Sequence, residues 1–185
     1  MSLKNREILI GVSGGIAAYK TAALVSKLAQ AEAAVSVVMT PAATKFVGTA
    51  TFAALTGRPV ATRTFSSRQY PLGAHIELAQ RADIFCVAPA TANFISNVAL
   101  GAADDLLSTL TLCCTCPILI APAMNAAMWE KPAVQRNVQQ IQADGIECIE
   151  PQEGWLSCRQ VGTGRMVEAD ALFEIIQQRL AGPNH

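Results

Sequence analysis

A few side chains in this sequence are placed where packing alone does not call for them. Asn125 ends the apolar run PILIAPAM, where an amide without partners is costly to bury; it is either the polar start of a loop or a group that holds a ligand. His75 opens the segment HIELAQRA and is the only histidine away from the chain end. It reads either as a surface group at a helix start or as an imidazole able to accept a proton. Cys158 and Arg165 share the stretch GWLSCRQVGTGRMVE (154–168), which is too polar and glycine-rich for the core. A thiol there could donate a proton to a carbanion-like centre, and an arginine could clasp a phosphate or carboxylate. The same stretch equally reads as a solvated loop with an incidental cysteine.

Two further segments suit anion or ring binding. GVSGGIAA (11–18) brings Gly11, Ser13, Gly14 and Gly15 to the start of a helical pattern. Small residues let backbone N–H groups approach an anion at a positive helix end, so a phosphate such as that of a flavin mononucleotide fits; a plain tight turn also fits. The spacing is neither GxGxxG nor a P-loop. APATANF (88–94) repeats the arrangement with Thr91 and Asn93, as helix caps or as donors to a ring system.

Other candidates fall away. Asp104 and Asp105 are adjacent, and neighbours on a helix point about 100° apart, so they form neither a catalytic dyad nor a chelate. Cys113 and Cys116 make a C-x-x-C at the end of a helical stretch, where the dipole disfavours a thiolate, and no second ligand pair follows at zinc spacing. The six cysteines read as small core residues of a reducing compartment, apart from Cys158, and no metal site is expected. With zero formal net charge and 5% aromatic residues, the 185-residue chain lacks the surface that nucleic acid requires. Neither a signal peptide nor a spanning apolar stretch is evident, so the expected location is cytoplasmic and no membrane partner is expected.

The elements that must position these residues follow from hydrophobic patterning. EILIGV (7–12), VSVVMT (35–40), DIFCVAP (83–89), PILIAPA (117–123) and IECIE (146–150) read as strands. Helical patterns run through GIAAYKTAALVSKLAQAE, PAATKFVGTATFAAL, HIELAQRA, ANFISNVALGAADDLLSTL and KPAVQRNVQQIQADG, with Gly57 and Gly145 as stops. Strands that are continuously apolar belong to a parallel sheet covered on both faces. The expectation is one α/β domain over 1–185, a doubly wound Rossmann-like or flavodoxin-like sheet. Ligands of such sheets gather beyond the strands' carboxyl ends. That places the site among Gly11–Gly15, Thr40–Pro41, Pro89–Asn93 and Pro122–Asn125.

PAMNAAMW matches the P-x-M-N-x-x-M-W signature of the homo-oligomeric flavin-containing cysteine decarboxylases. GVSGGIAAYK, GAHIEL, APATANF with GAADDLL, and SCRQVGTGRM occur in that family's order, so the chain resembles it over nearly its whole length. The resemblance is strongest to the bacterial branch that acts on phosphopantothenoylcysteine. It implies FMN as cofactor and conversion of 4′-phosphopantothenoyl-L-cysteine to 4′-phosphopantetheine and CO2 in coenzyme A biosynthesis. The implied route oxidises the cysteine side to a thioaldehyde, loses CO2 to give an enethiolate, and returns the electrons from the flavin. His75 would then be the base, Asn125 the holder of the carboxylate and Cys158 the acid. Met124, Met128 and Arg165 would contact substrate, and Gly11, Ser13, Gly14, Gly15, Thr40, Thr91 and Asn93 would hold the cofactor. Residues 154–168 would form a lid made flexible by Gly162 and Gly164, and the protein would be a homotrimer or dodecamer.

Two departures qualify the match. The family commonly carries A-C-G at the lid cysteine, whereas Ser157-Cys158-Arg159 stands here, offering a second arginine for phosphate. Relatives are often fused to a C-terminal ligase domain, so this sequence is expected to be either a stand-alone decarboxylase or one half of such a fusion. Alternatives within reach of the same fold are a peptidyl-cysteine decarboxylase, a flavin prenyltransferase, and a flavin-binding regulatory subunit without turnover.

Overall fold

The computed structural model describes residues 2–65 and 69–182. Part of the polar segment before His75 (66–68) and the chain end (183–185) lie outside the described residues. Five strands form a parallel sheet in the order β2-β1-β3-β4-β5: β1 Glu7–Val12, β2 Ala34–Met39, β3 Ile84–Ala90, β4 Ile118–Pro122 and the short edge strand β5 Glu147–Cys148. This is the flavodoxin-like order, with the crossover lying between β1 and β3. Register runs Ile8↔Val35 and Ile10↔Val37 on one side of β1 and Leu9↔Phe85 on the other.

The continuously apolar strands serve two cores. Ile8, Ile10 and Val12 point to one face and meet α1 (Ala18–Gln30), α2 (Thr49–Thr56) and α8 (Ala169–Ala181) through Leu24, Phe52, Leu172 and Ile176. Leu9, Phe85, Val87 and Ile120 point to the other. They meet α3 (Ala74–Arg81), α4 (Ala92–Ala99), α5 (Leu106–Cys113) and α7 (Pro132–Ala143) through Leu78, Ile95, Leu107 and Ile141. Each such fully buried side chain contributes on the order of 1.5–3 kcal/mol relative to exposure, which fixes strand register on both faces.

Three stretches differ from the sequence expectation. The helical pattern at 92–110 is two helices, because Gly101 turns left-handed (φ 65) and Asp105 opens α5 with a capping box against Ser108. The pattern at 41–55 is likewise cut at the extended Gly48, leaving a 3-10 turn at Ala43–Lys45 and then α2. Most important for function, 154–168 is not a structureless loop: β6 (Gln152–Trp155) and β7 (Val161–Arg165) pair antiparallel as a hairpin. Its ladder runs Trp155↔Val161 and Gly154↔Gly162. Helix α8 and the single turn α6 (Ala126–Trp129) were not foreseen.

Candidate active site

Beyond the carboxyl ends of β1, β3 and β4 lies a cavity of about 440 Å3. Its floor is the start of α1 (Gly14, Gly15, Ala17), one wall is Thr91 and Met124–Asn125, and the other is the hairpin with Cys158 and Arg165. A volume of this order suits a cofactor or drug-sized ligand.

Asn125 sits where β4 leaves the sheet, and its amide has two jobs. Its Oδ1 accepts from the Ala127 N–H at 2.8 Å, capping α6. Its Nδ2 donates to Cys158 Sγ at 3.2 Å. The cap fixes which end of the amide faces the cavity: the donor end does. Met124 and Met128 line the same wall.

The hairpin reaches Asn125 because its glycines admit close contact. The Met124 N–H donates to Gly164 O at 3.0 Å, and a Cβ on Gly164 (φ 138) would stand 2.3 Å from Met124 O. A Cβ on Gly162 would stand 2.8 Å from the Ala126 Cβ. These glycines therefore dock the hairpin rather than loosen it, which corrects their expected role as hinges. At the tip, Arg159 N–H donates to Leu156 O at 2.9 Å with Arg159 left-handed (φ 63). A glycine adopts that conformation freely and an arginine does not.

The glycine turn is suited to an anion. The N–H groups of Gly14, Ile16 and Ala17 make no hydrogen bond within the described residues and lie at the positive end of α1. A Cβ on Gly15 would find its nearest neighbours at 3.7 Å, so that side of the turn is open. Gly14 instead backs onto Ala42, where a Cβ would come within 2.4 Å. Ser13 is 2% exposed and acts as a strut: its Oγ donates to Pro89 O at 2.8 Å and accepts from the Thr91 N–H at 2.9 Å. Thr91 in turn caps α4 by accepting from Phe94 N–H.

Some expected residues are not gathered here. Gly11 lies inside β1, where a Cβ would come within 2.5 Å of Leu107 Cδ1, so its smallness serves sheet–helix packing. Ser13, Thr40 and Asn93 do not line the cavity either, and Thr40 caps the turn at Ala43. His75 begins α3 on the opposite face of the sheet from α1, outside the cavity lining, with Nδ1 buried and without a partner among the described residues. Of the cysteines, Cys86 is buried as expected, but Cys113 is exposed like Cys158. The thiol that interacts with Cys116 is Cys114, not the C-x-x-C partner Cys113.

Lys20 was not anticipated. It is 6% exposed on α1, and its Nζ donates to Met166 O at 2.9 Å and to Glu168 Oε1 at 3.0 Å. Glu168 also accepts from Arg165. The Lys20 hydrogen bond, aided by both positive charges, holds the Glu168 carboxyl below the usual carboxylate range. Nothing in the local sequence distinguishes this lysine from the exposed ones, since its partners lie at the far end of the chain.

Comparison with known proteins follows the same geometry. The chain is 48% identical over 179 residues to the coenzyme A biosynthesis bifunctional protein CoaBC of Bacillus subtilis (strain 168), covering 97% of this chain and 44% of that protein. It thus spans less than half the length of the curated relatives it matches. The FMN-dependent cysteine decarboxylase SpaF superposes with a TM-score of 0.84 at 34% identity, covering 97% of this chain and 99% of that one. A PPC decarboxylase mutant complexed with pantothenoylaminoethenethiol superposes with a TM-score of 0.83 at 26% identity, covering 95% and 98%. Residues 1–181 match the family described as Flavoprotein, and the chain belongs to that family.

Proposed function

We propose that this chain decarboxylates 4′-phosphopantothenoyl-L-cysteine to 4′-phosphopantetheine, using FMN, as a step of cytoplasmic coenzyme A biosynthesis. The observation that carries the reading is the Asn125–Cys158 contact, which sets an amide donor and a thiol on one point of a flavin-sized cavity. The bifunctional coenzyme A protein and the PPC decarboxylase among its relatives support the substrate. The open helix N-terminus at Gly14–Ala17 fits the FMN phosphate.

Loss of CO2 leaves an electron pair on carbon, and bound FMN supplies the reversible electron sink that such a step requires. The chain's own residues do the rest. Asn125 Nδ2 orients the substrate carboxylate through a neutral donor, which does not over-stabilise the charge that must vanish in the transition state. Cys158 holds a proton at Sγ for the substrate carbon. That thiol separates a full decarboxylation to a saturated thiol from one that stops at the enethiol, and a regulatory subunit would need neither group.

His75 is the proposed base, and it must come from another copy. Its imidazole folds back against Gly73 outside the cavity, while Ile16, Tyr19, Met128 and Trp155 leave an exposed apolar rim around the site. A homo-oligomer, a trimer or a dodecamer, would cover that rim and bring the neighbour's imidazole to the cofactor.

The test is CO2 release from 4′-phosphopantothenoylcysteine by the purified flavin-loaded protein and its Asn125→Asp variant. Release by the wild type alone supports the reading. A yellow wild-type protein that releases none overturns the substrate and the reaction.

A further inference from the structure

Among the described residues, the cavity wall carries two basic side chains, Lys20 and Arg165, and no carboxylate. Both cations share one counter-ion, Glu168, which stands behind the wall. The two are held very differently. The Lys20 side chain is 7% exposed and is fixed by Met166 O as well as Glu168, whereas the Arg165 side chain is 40% exposed. Gly154 makes room for this arginine: a Cβ there would stand 2.9 Å from both Arg165 Cδ and Nη1. A guanidinium laid across a strand with one removable carboxylate partner presents a planar fork suited to an oxyanion.

We infer that Lys20, Glu168 and Arg165 form a phosphate-monoester receptor in which Glu168 is a displaceable placeholder on Arg165 and Lys20 is the buried charge that keeps the triad net positive. When the anion arrives, Arg165 turns its fork to it. Glu168 remains compensated by Lys20, so no carboxylate is stranded. Arg159 at the exposed hairpin tip lies outside the cavity lining and takes no part. The inference rests on the decarboxylase reading for the source of the anion, the phosphate end of the substrate rather than that of the cofactor.

Two substitutions that break the same ion pair should act in opposite directions. Inorganic phosphate is titrated calorimetrically into flavin-loaded protein, so that the cofactor's own phosphate site is filled. Glu168→Gln frees Arg165 and should tighten phosphate binding roughly two- to five-fold, the size of a competing exposed pair. Lys20→Met leaves Glu168 wholly to Arg165 and should weaken binding about tenfold. Arg165→Met should abolish it. Were the triad only a structural tie, Glu168→Gln would weaken binding or leave it unchanged, and either result overturns the proposal, as does a change confined to FMN retention. Because phosphate binding is read without turnover, a protein that binds phosphate yet releases no CO2 sinks the decarboxylase reading and leaves the receptor standing.

Discussion

Asn125 Nδ2 donates to Cys158 Sγ across 3.2 Å while the same amide caps α6 through its oxygen. The cavity-facing donor of Asn125 thus meets a thiol 33 residues away in sequence. The amide nitrogen carries two N–H groups, so one can stay on the Cys158 sulfur while the other faces a ligand in the cavity.

This arrangement separates the cap from the chemistry. Asn125→Asp keeps an oxygen for the Ala127 N–H and loses the cavity-facing donor, replacing it with a charge that repels a carboxylate. CO2 release should fall by about a hundredfold or more, the scale of losing one oriented donor, with the melting temperature nearly unchanged. Asn125→Ala loses both and should also cost about 1 kcal/mol of stability. Thermal unfolding beside turnover distinguishes the two.

Cys158→Ser should still lose CO2 from substrate but fail to protonate the product carbon. Mass spectrometry of the reaction should then show an enethiol in place of the saturated thiol. A saturated product at the wild-type rate would assign the acid to another residue.

The sheet was legible because β1 to β4 bury both faces, and Ile8, Leu9 and Ile10 leave no other reading of 7–12. The hairpin was not, because Val161-Gly-Thr-Gly-Arg165 lacks the apolar side chains that announce a strand. Its strand character comes from docking: Met124 N–H on Gly164 O, and Ala126 against Gly162. Asn125 and Cys158 were legible through their motif, whereas Lys20 was not, since its ion-pair partner is 148 residues away. The placement of His75 was not legible: α3 carries it outside the cavity lining.

Docking of the hairpin makes Gly164 irreplaceable. Gly164→Ala adds a Cβ 2.3 Å from Met124 O at φ 138, and neither backbone can yield without moving Asn125 or Cys158. Stability should drop by about 1–3 kcal/mol, with the hairpin tip becoming sensitive to limited proteolysis before the core unfolds. Arg159→Gly is the counter-example. It relieves a left-handed arginine, strain of about 1–2 kcal/mol, and should leave the KM for substrate unchanged. A raised KM would instead place Arg159 on the substrate.

A base supplied by a neighbouring copy can be recognised by complementation. His75→Asn and Cys158→Ala proteins should each be inactive in forming the saturated thiol, yet mixed oligomers, reassembled after dissociation, should recover part of the wild-type rate. Some of their sites then pair an intact Cys158 with an intact His75 from next door. Mixtures without recovery would place both residues in one copy's site.

Cys86 gives a pH dependence that does not involve the site. It is fully buried in β3, and desolvation pushes its thiol up to about 12; Cys148 moves the same way, to about 11, also by burial. Between the ordinary thiol value and these raised ones, the unfolded chain loses protons that the folded chain keeps. The folded state therefore binds more protons, and stability falls as pH rises. The contribution is fully present below the unfolded thiol pKa of about 8.5 and is lost at about 1.4 kcal/mol per pH unit for each titrating thiol. Urea unfolding between pH 8 and 11 under reducing conditions should show this decline, and Cys86→Ala should make it shallower by one thiol's slope. The variant starts lower because it leaves a cavity, so the slope and not the level decides. Equal slopes for the two proteins would mean that the Cys86 thiol ionises as readily folded as unfolded, which a fully buried position on a central strand does not permit.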